Sequence, residues 1–448
     1  MRFYPSRGGQ TSLMSSFAKQ RLSLTKFLLL VIVVDVLLIS IPIFLGKTKA
    51  AIPAGAFFKE SAFSAFRREA LRSMIVPNSS VDKSNLTALH EIVTKMNTQQ
   101  VMHHVDRFGP LGPNDPVLVV QVHNRWRYLS HLLSSLAQVE GIEKALIILS
   151  HDYYDNYLPL IPHSASFCKV MQIFYPNSTQ LYPFTFPGQD PRDCPRNMKP
   201  EHARKIKCLG ADHPDVYNHY REPKFTQIKL HWWWKMNTVF HKLNITKNHA
   251  GPVLLLEEDH YVTPDLLVMA ELMLSQKSTF CNDAACLCSV GNNKWGSHHH
   301  PANADKIEVR QWQSSTNNLG HLITRDVWNI IRSCAHAFCT YDDYNWDLTL
   351  TALANTCYPK GSLQVSLRSS RVMHIGDCGV HSKSHVCKEL LLKGAVRAAT
   401  QSRACPRPTS LIPIKTRYHG TPKTSGGWGD VRDHDLCLSW VTPDGATE

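Results

Sequence analysis

The chain has 448 residues, thirteen cysteines and a formal net charge of +13. That length holds two or three average domains, or one large α/β domain with appendages. Seven lysines and arginines against Asp35 alone place +6 of the charge in the first fifty residues. The remainder is thinly spread and forms no run suited to nucleic acid, which argues against such a partner.

Phe27–Leu45 is almost wholly apolar and long enough to cross a bilayer. Arg2, Arg7, Lys19, Arg21 and Lys26 precede it, and no acid does. The positive-inside rule therefore puts residues 1–26 in the cytosol and the bulk of the chain in a lumen, tethered to the membrane by a signal anchor over 27–45. A cleaved signal peptide is the alternative, but the basic region is long and the apolar run exceeds a usual signal core. Asp35 within the span costs on the order of 3 kcal/mol and marks helix pairing or a shifted register. The cysteines form no paired zinc pattern and fit an oxidising lumen. Sequons at Asn78, Asn85, Asn177 and Asn244 agree with that compartment. An odd cysteine count leaves at least one thiol unpaired, or paired between chains in a homo-oligomer.

Residues 46–112 read as a luminal stem with one helix expected around Leu86–His104, and 113–448 as the folded domain. The domain opens with a strand at Val117–Val122 that runs into His123, Asn124 and Arg125 and then an amphipathic helix. A second strand, Ala145–Ser150, ends in His151 and Asp152; a third is expected over Val170–Tyr175. Tyr182–Lys199 is a long loop rich in Pro, Asp and Arg. Phe225–Leu243 reads as helix and carries Trp232, Trp233 and Trp234. Strands alternating with helices, with polar groups at strand ends, give a parallel sheet with a nucleotide site. Neither GxGxxG nor GxxxxGK[ST] occurs, so a dinucleotide fold and a P-loop are both unsupported.

Leu254–His260 (LLLEEDH) is the most informative stretch: a buried strand ending in three carboxylates and an imidazole. Acids so crowded repel one another unless a cation neutralises them, and hard oxygen ligands beside a diphosphate suit Mg²⁺ or Mn²⁺. A capped strand end with solvated acids is the plainer alternative. In Thr340–Asp347 (TYDDYNWD), Asp343 and Asp347 are four apart and share a face if helical. Like charges at that spacing destabilise a plain helix, so one of them has another use. Asp342 and Asp343 also fit as N-terminal helix acids facing the dipole.

QVHNR at Gln121–Arg125, SHD at Ser150–Asp152, DPRDCPR at Asp190–Arg196 and HWWWK at His231–Lys235 come in order before EEDH at Glu257–His260. FCTYDDYNWD at Phe338–Asp347, HIGDC at His374–Cys378 and GGWGD at Gly426–Asp430 follow. Together these segments resemble the alpha-1,6-mannosyl-glycoprotein 2-beta-N-acetylglucosaminyltransferases, the second N-acetylglucosaminyltransferase family of complex N-glycan synthesis. The resemblance implies a GT-A type nucleotide-sugar glycosyltransferase fold with a Rossmann-like central sheet, in a type II Golgi membrane protein. It implies inverting transfer of GlcNAc from UDP-GlcNAc, in β1,2 linkage, to the α1,6-arm mannose of an N-glycan acceptor.

The implied metal ligands are Asp259 and His374, holding Mn²⁺ on the diphosphate, and the implied general base is Asp347. Gln121, Val122, His123, Asn124 and Arg125 would line the nucleotide pocket, with Asp152 accepting from the uracil imide. Gln227, Ile228, Lys229, Leu230 and His231 match a further donor-binding stretch, and Glu257 and Glu258 belong to the same site. His298 stands where these enzymes carry an arginine near the donor; imidazole is shorter and only partly charged. Arg196, Tyr344 and Trp346 would meet acceptor sugars, although Trp346 fits a core role equally well. Trp232–Trp234 read as core. On residue statistics alone His374 is more often a core or surface histidine than a ligand.

The implied bridges are Cys194–Cys208, Cys334–Cys357, Cys339–Cys437 and Cys378–Cys387. Cys281 and Cys286 are candidates for a fifth, with Cys288 as a competing partner. A sister transferase acting on another mannose shares every feature above except its acceptor loops. A membrane-anchored glycan-binding protein explains the aromatics and sequons but requires neither a base nor a metal site.

Overall fold

The computed structural model describes residues 85–281, 285–293, 301–379, 387–404, 407–415 and 423–441. The expected anchor, Asn78 and His298 lie outside them. Among the described residues no helix is long and apolar enough to cross a membrane.

Ten strands form one sheet among the described residues. In chain order these are β1 (Met102–His103), β2 (Val117–Val122), β3 (Leu146–His151), β4 (Lys169–Phe174) and β5 (Val253–Glu257), then β7 (Cys286–Ser289), β8 (Lys306–Gln311), β9 (His321–Ile323), β10 (Leu363–Leu367) and β12 (Ile412–Lys415). The spatial order is β1-β4-β3-β2-β5-β9-β7-β10-β8-β12. Neighbours from β4 to β5 are parallel, with Gln121 opposite Ser150 on one side and Glu257 on the other. Beyond β5 the sheet is mixed, β9 pairing antiparallel to both β5 and β7. A separate ribbon pairs β6 (His260–Val262) with β11 (Val372–His374), placing His260 opposite His374.

The parallel strands are almost continuously apolar because both faces are covered. Leu118, Val120 and Val122 face a core built with α1 (Leu86–Gln99), α2 (Trp126–Leu136) and α4 (Leu266–Ser275). Val117 and Val119 point the other way, into a core with α3 (Pro223–Asn237). The period of two in the strand thus sorts its side chains between two cores. On the second face Trp232 stacks on Trp346 at 4.9 Å and 4°, and Trp233 on Phe338 at 4.3 Å. Truncating one of these rings to alanine would cost about 3–5 kcal/mol.

The helix expected around Leu86–His104 ends at Gln99, in the left-handed conformation at Gln100. It packs on the sheet through Leu89 and Val93, and β1 then pairs with β4, so both lie against the folded domain. Asn85 caps α1, accepting from the Ala88 amide, while Asn177 is half-buried and Asn244 is exposed.

Candidate active site

β5 delivers its acids to the sheet's carboxyl edge. Glu258 is buried and clamped: its carboxylate accepts from the His123 amide at 2.9 Å and the Arg125 Nε at 2.6 Å. Arg125 also donates to Asp259 Oδ2 at 2.7 Å and to the Cys378 carbonyl at 3.1 Å. His374 Nε2 lies 3.1 Å from the same Asp259 oxygen. A Cβ at Gly376 would come within 2.2 Å of Asp259 Oδ2, so only glycine lets the HIGD segment approach so closely. Burial raises Asp259, but His374 and Arg125 outweigh it and hold the carboxylate well below its ordinary range.

The donor set fits a divalent cation. Glu257, Asp259 and His260 offer ligand atoms within 4.8 Å of one another. Among the described residues Asp259 Oδ1 is buried and without a hydrogen-bond partner, an orphaned acceptor of the kind that demands an explanation. Burial brings His260 down to about 3, so its imidazole is neutral, as ligation requires. Mixed carboxylate and imidazole ligands suit a divalent transition metal.

Beside this turn, Asp152 at the end of β3 is held by three side chains of the protein. Its Oδ1 lies 2.6 Å from His123 Nδ1; its Oδ2 accepts from Gln227 at 3.0 Å and lies 3.2 Å from His231 Nδ1. A carboxylate has about four acceptor positions, so one remains for a ligand. Burial raises Asp152, yet His123 and His231 together hold it far below the ordinary range. Reciprocally, burial lowers His123 while Asp152 outweighs it, raising the imidazole to about 9.

Asp347 reaches the site from the first turn of α7 (Trp346–Thr356). Asn318 donates to its Oδ2 at 3.1 Å and the Leu348 amide to its Oδ1 at 2.8 Å. Burial pushes it up to about 7, with a further upward contribution from Glu257. A carboxyl poised there is suited to take a proton near neutral pH.

The sequence profile of the N-acetylglucosaminyltransferase II (MGAT2) family matches residues 90–437. The chain belongs to this family. An alpha-1,6-mannosyl-glycoprotein 2-beta-N-acetylglucosaminyltransferase from Sus scrofa is 39% identical over 368 residues, covering 81% of each chain. The protein of that name from Homo sapiens is 39% identical over 370 residues, 82% of each chain. The one from Arabidopsis thaliana is 34% identical over 355 residues, covering 76% of this chain and 77% of its own. The chain is thus a member of a glycosyltransferase family.

Within this N-acetylglucosaminyltransferase II member, the remaining candidate residues divide. Gln121, His123, Arg125, Asp152, Gln227 and His231 gather with the acids at the ends of β2, β3 and β5, and Asn124 is exposed beside them. Val122 and Leu230 are buried in the two cores and Ile228 packs against the second. Lys229 is fully buried and donates to the carbonyls of Tyr341 and Asp343 at 3.0 and 2.9 Å, between the rings of Phe338 and Trp428. Trp346 is buried in the aromatic stack. Tyr344 and Arg196 line one cavity with Phe225, Glu222 and His219.

Asp343 precedes α7 and so does not share its face with Asp347. Instead it accepts from the Asn345 and Ser425 amides, pinning the turn to the GGWGD tail. Asp342 likewise accepts from the Trp428 amide at 2.9 Å. All four implied bridges are present, and Cys281 pairs with Cys286, which leaves Cys168 and Cys288 as buried thiols among the described residues. Residue reading missed His260 and Lys235. The first was signalled by its place in LLLEEDH, the second by its four-residue spacing from His231.

Proposed function

We propose that the chain transfers GlcNAc from UDP-GlcNAc, with inversion, in β1,2 linkage to the α1,6-arm mannose of N-glycans during complex-type N-glycan synthesis. The reading takes the sheet as a GT-A fold and the protein as a single-pass type II Golgi enzyme anchored by residues 27–45. One observation carries it: the Glu257–His260 turn, with its orphaned Asp259 oxygen, shares an electrostatic neighbourhood with Asp347, a carboxyl pushed up to about 7.

Asp347 takes the proton from the mannose hydroxyl as that oxygen attacks the anomeric carbon. Asn318 holds one carboxylate oxygen and the Leu348 amide the other, fixing the base without neutralising it. Attack opposite the departing UDP inverts the α-linked donor to a β-linked product in one displacement, with no covalent enzyme intermediate. When bound, Mn²⁺ would be held by Asp259 and His374 and would supply Lewis-acid neutralisation of charge on the diphosphate. Arg125 engages Asp259 Oδ2, and Oδ1 is the carboxylate oxygen without a partner among the described residues. Asp152 uses its remaining acceptor position for the uracil imide. Arg196 and Tyr344, on one cavity, meet acceptor sugars.

The test incubates the purified full-length chain with UDP-GlcNAc, Mn²⁺ and a trimannosyl glycan bearing GlcNAc on its α1,3 arm, with linkage analysis of the product. One added β1,2-linked GlcNAc on the α1,6 arm is expected. Transfer to another mannose would make the chain a sister transferase; a folded protein that binds no UDP would overturn the reading.

A further inference from the structure

α3 carries a buried polar stripe that its aromatic core does not explain. Gln227, His231 and Lys235 are spaced by four and lie on one helical face, while Trp232, Trp233 and Trp234 turn into the aromatic stack. All three polar side chains are buried, the last two at 0% and 1% exposure. Polar groups buried like this are costly unless paired, and each is paired with a residue of one strand edge. Gln227 and His231 hold Asp152, and His231 Nε2 also lies 2.8 Å from Ser150 Oγ. Lys235 Nζ donates to Gln121 Oε1 at 2.7 Å.

Ser150, Gln121 and Glu257 occupy one rung across β3, β2 and β5, and ladder partners in parallel strands share a face. The stripe therefore runs beneath that rung, with His231 under Ser150 and Lys235 under Gln121. The lysine nitrogen carries N–H groups whatever its charge, and one of them meets the Gln121 carboxamide oxygen, which therefore faces Lys235. Its NH₂ group then points away from the lysine. Among the described residues that nitrogen has no acceptor, and Gln121 is partly exposed.

We propose that Lys235 is a positioning residue of the donor site, orienting the Gln121 carboxamide so that it presents its N–H to an oxygen of the nucleotide sugar. This rests on the UDP-GlcNAc reading above. It adds a requirement that reading lacks: an electronegative donor atom over the β2 rung, and a residue that acts on it only through Gln121.

The test measures UDP affinity by calorimetry, and KM and kcat for UDP-GlcNAc, in full-length wild type, Lys235→Met, Gln121→Ala and the double variant. Thermal melting checks the fold of each. The expected result is a rise of about tenfold in UDP Kd and donor KM for each single variant, with kcat within about twofold. The double variant should be no worse than Gln121→Ala, since a residue acting through its partner is not additive with it. Lys235→Arg, which keeps a cationic donor, should recover part of the loss. Unchanged Kd in folded Lys235→Met, or losses that multiply, would overturn the proposal. If Lys235→Met does not fold, Gln121→Ala decides, because unchanged UDP affinity there removes the group being positioned. A wild type that binds no UDP would sink the underlying reading instead.

Discussion

The β2–β3 edge and the start of α7 treat an aspartate in opposite ways. Asp152 accepts hydrogen bonds from three side chains and is held ionised far below its ordinary range. Among the described residues Asp347 has one amide hydrogen bond on each oxygen and no cationic partner, and burial pushes it up to about 7. The first is rigid and never changes charge under working conditions, which suits recognition. The second is left able to accept a proton, which suits chemistry. Residue type does not separate them; the number and charge of their neighbours does.

Removing the proton acceptor is the most severe way to test this contrast. Asp347→Asn should lower kcat by about 10³-fold while leaving UDP affinity within about twofold. Steady-state kinetics with calorimetry checks it, and a comparable loss of UDP binding would erase the division of labour. Asp152→Asn replaces an acceptor for three donors with a group that also donates. It should weaken UDP binding about thirtyfold and leave the pH dependence of kcat in place. At saturating donor and metal, wild-type kcat should fall about tenfold per pH unit below about 7, because Asp347 works only when ionised. A flat profile would mean that another group takes the proton.

The smallest effect concerns stability. His123 in the folded protein is raised from 6.5 to about 9. Its pairing with Asp152 therefore contributes fully below 6.5 and is lost as pH climbs through about 9. Tm measured across that window should decline in wild type and decline less in His123→Gln. Equal slopes would show that the pair does not stay intact in solution.

Much of the donor edge was legible because it is local in sequence. Apolar runs at Val117–Val122, Ala145–Ser150 and Leu254–Glu257 announce buried parallel strands, and each ends in the polar residues that form the edge. What the residues could not reveal depends on packing across the chain. Arg125 and Glu258 look like two pocket groups, yet they are consumed by each other, 133 positions apart. Lys229 sits between donor-stretch residues but points to the carbonyls of Tyr341 and Asp343. Trp346 fits core or sugar by residue type, and its burial against the parallel ring of Trp232 is a matter of placement. The choice of Cys286 over Cys288 as partner for Cys281 is likewise a matter of placement, since spacing allows both.

The turn before Asp347 has a dependence of its own. Its shape is written by the Ser425 and Trp428 amides on Asp343 and Asp342, by the Trp428 indole on the Cys339 carbonyl, and by the bridge from Cys339 to Cys437, 98 residues on. The β2–β3–β5 ladder and the Glu258 clamp, by contrast, close among residues 117–262, and His374 and Cys378 then join Asp259 and Arg125. During synthesis a nascent chain would therefore hold these groups before residues 423–437 emerge. On the proposed function, such a chain would have a nucleotide cradle without a placed base, and would gain turnover only when one of its last described segments arrives.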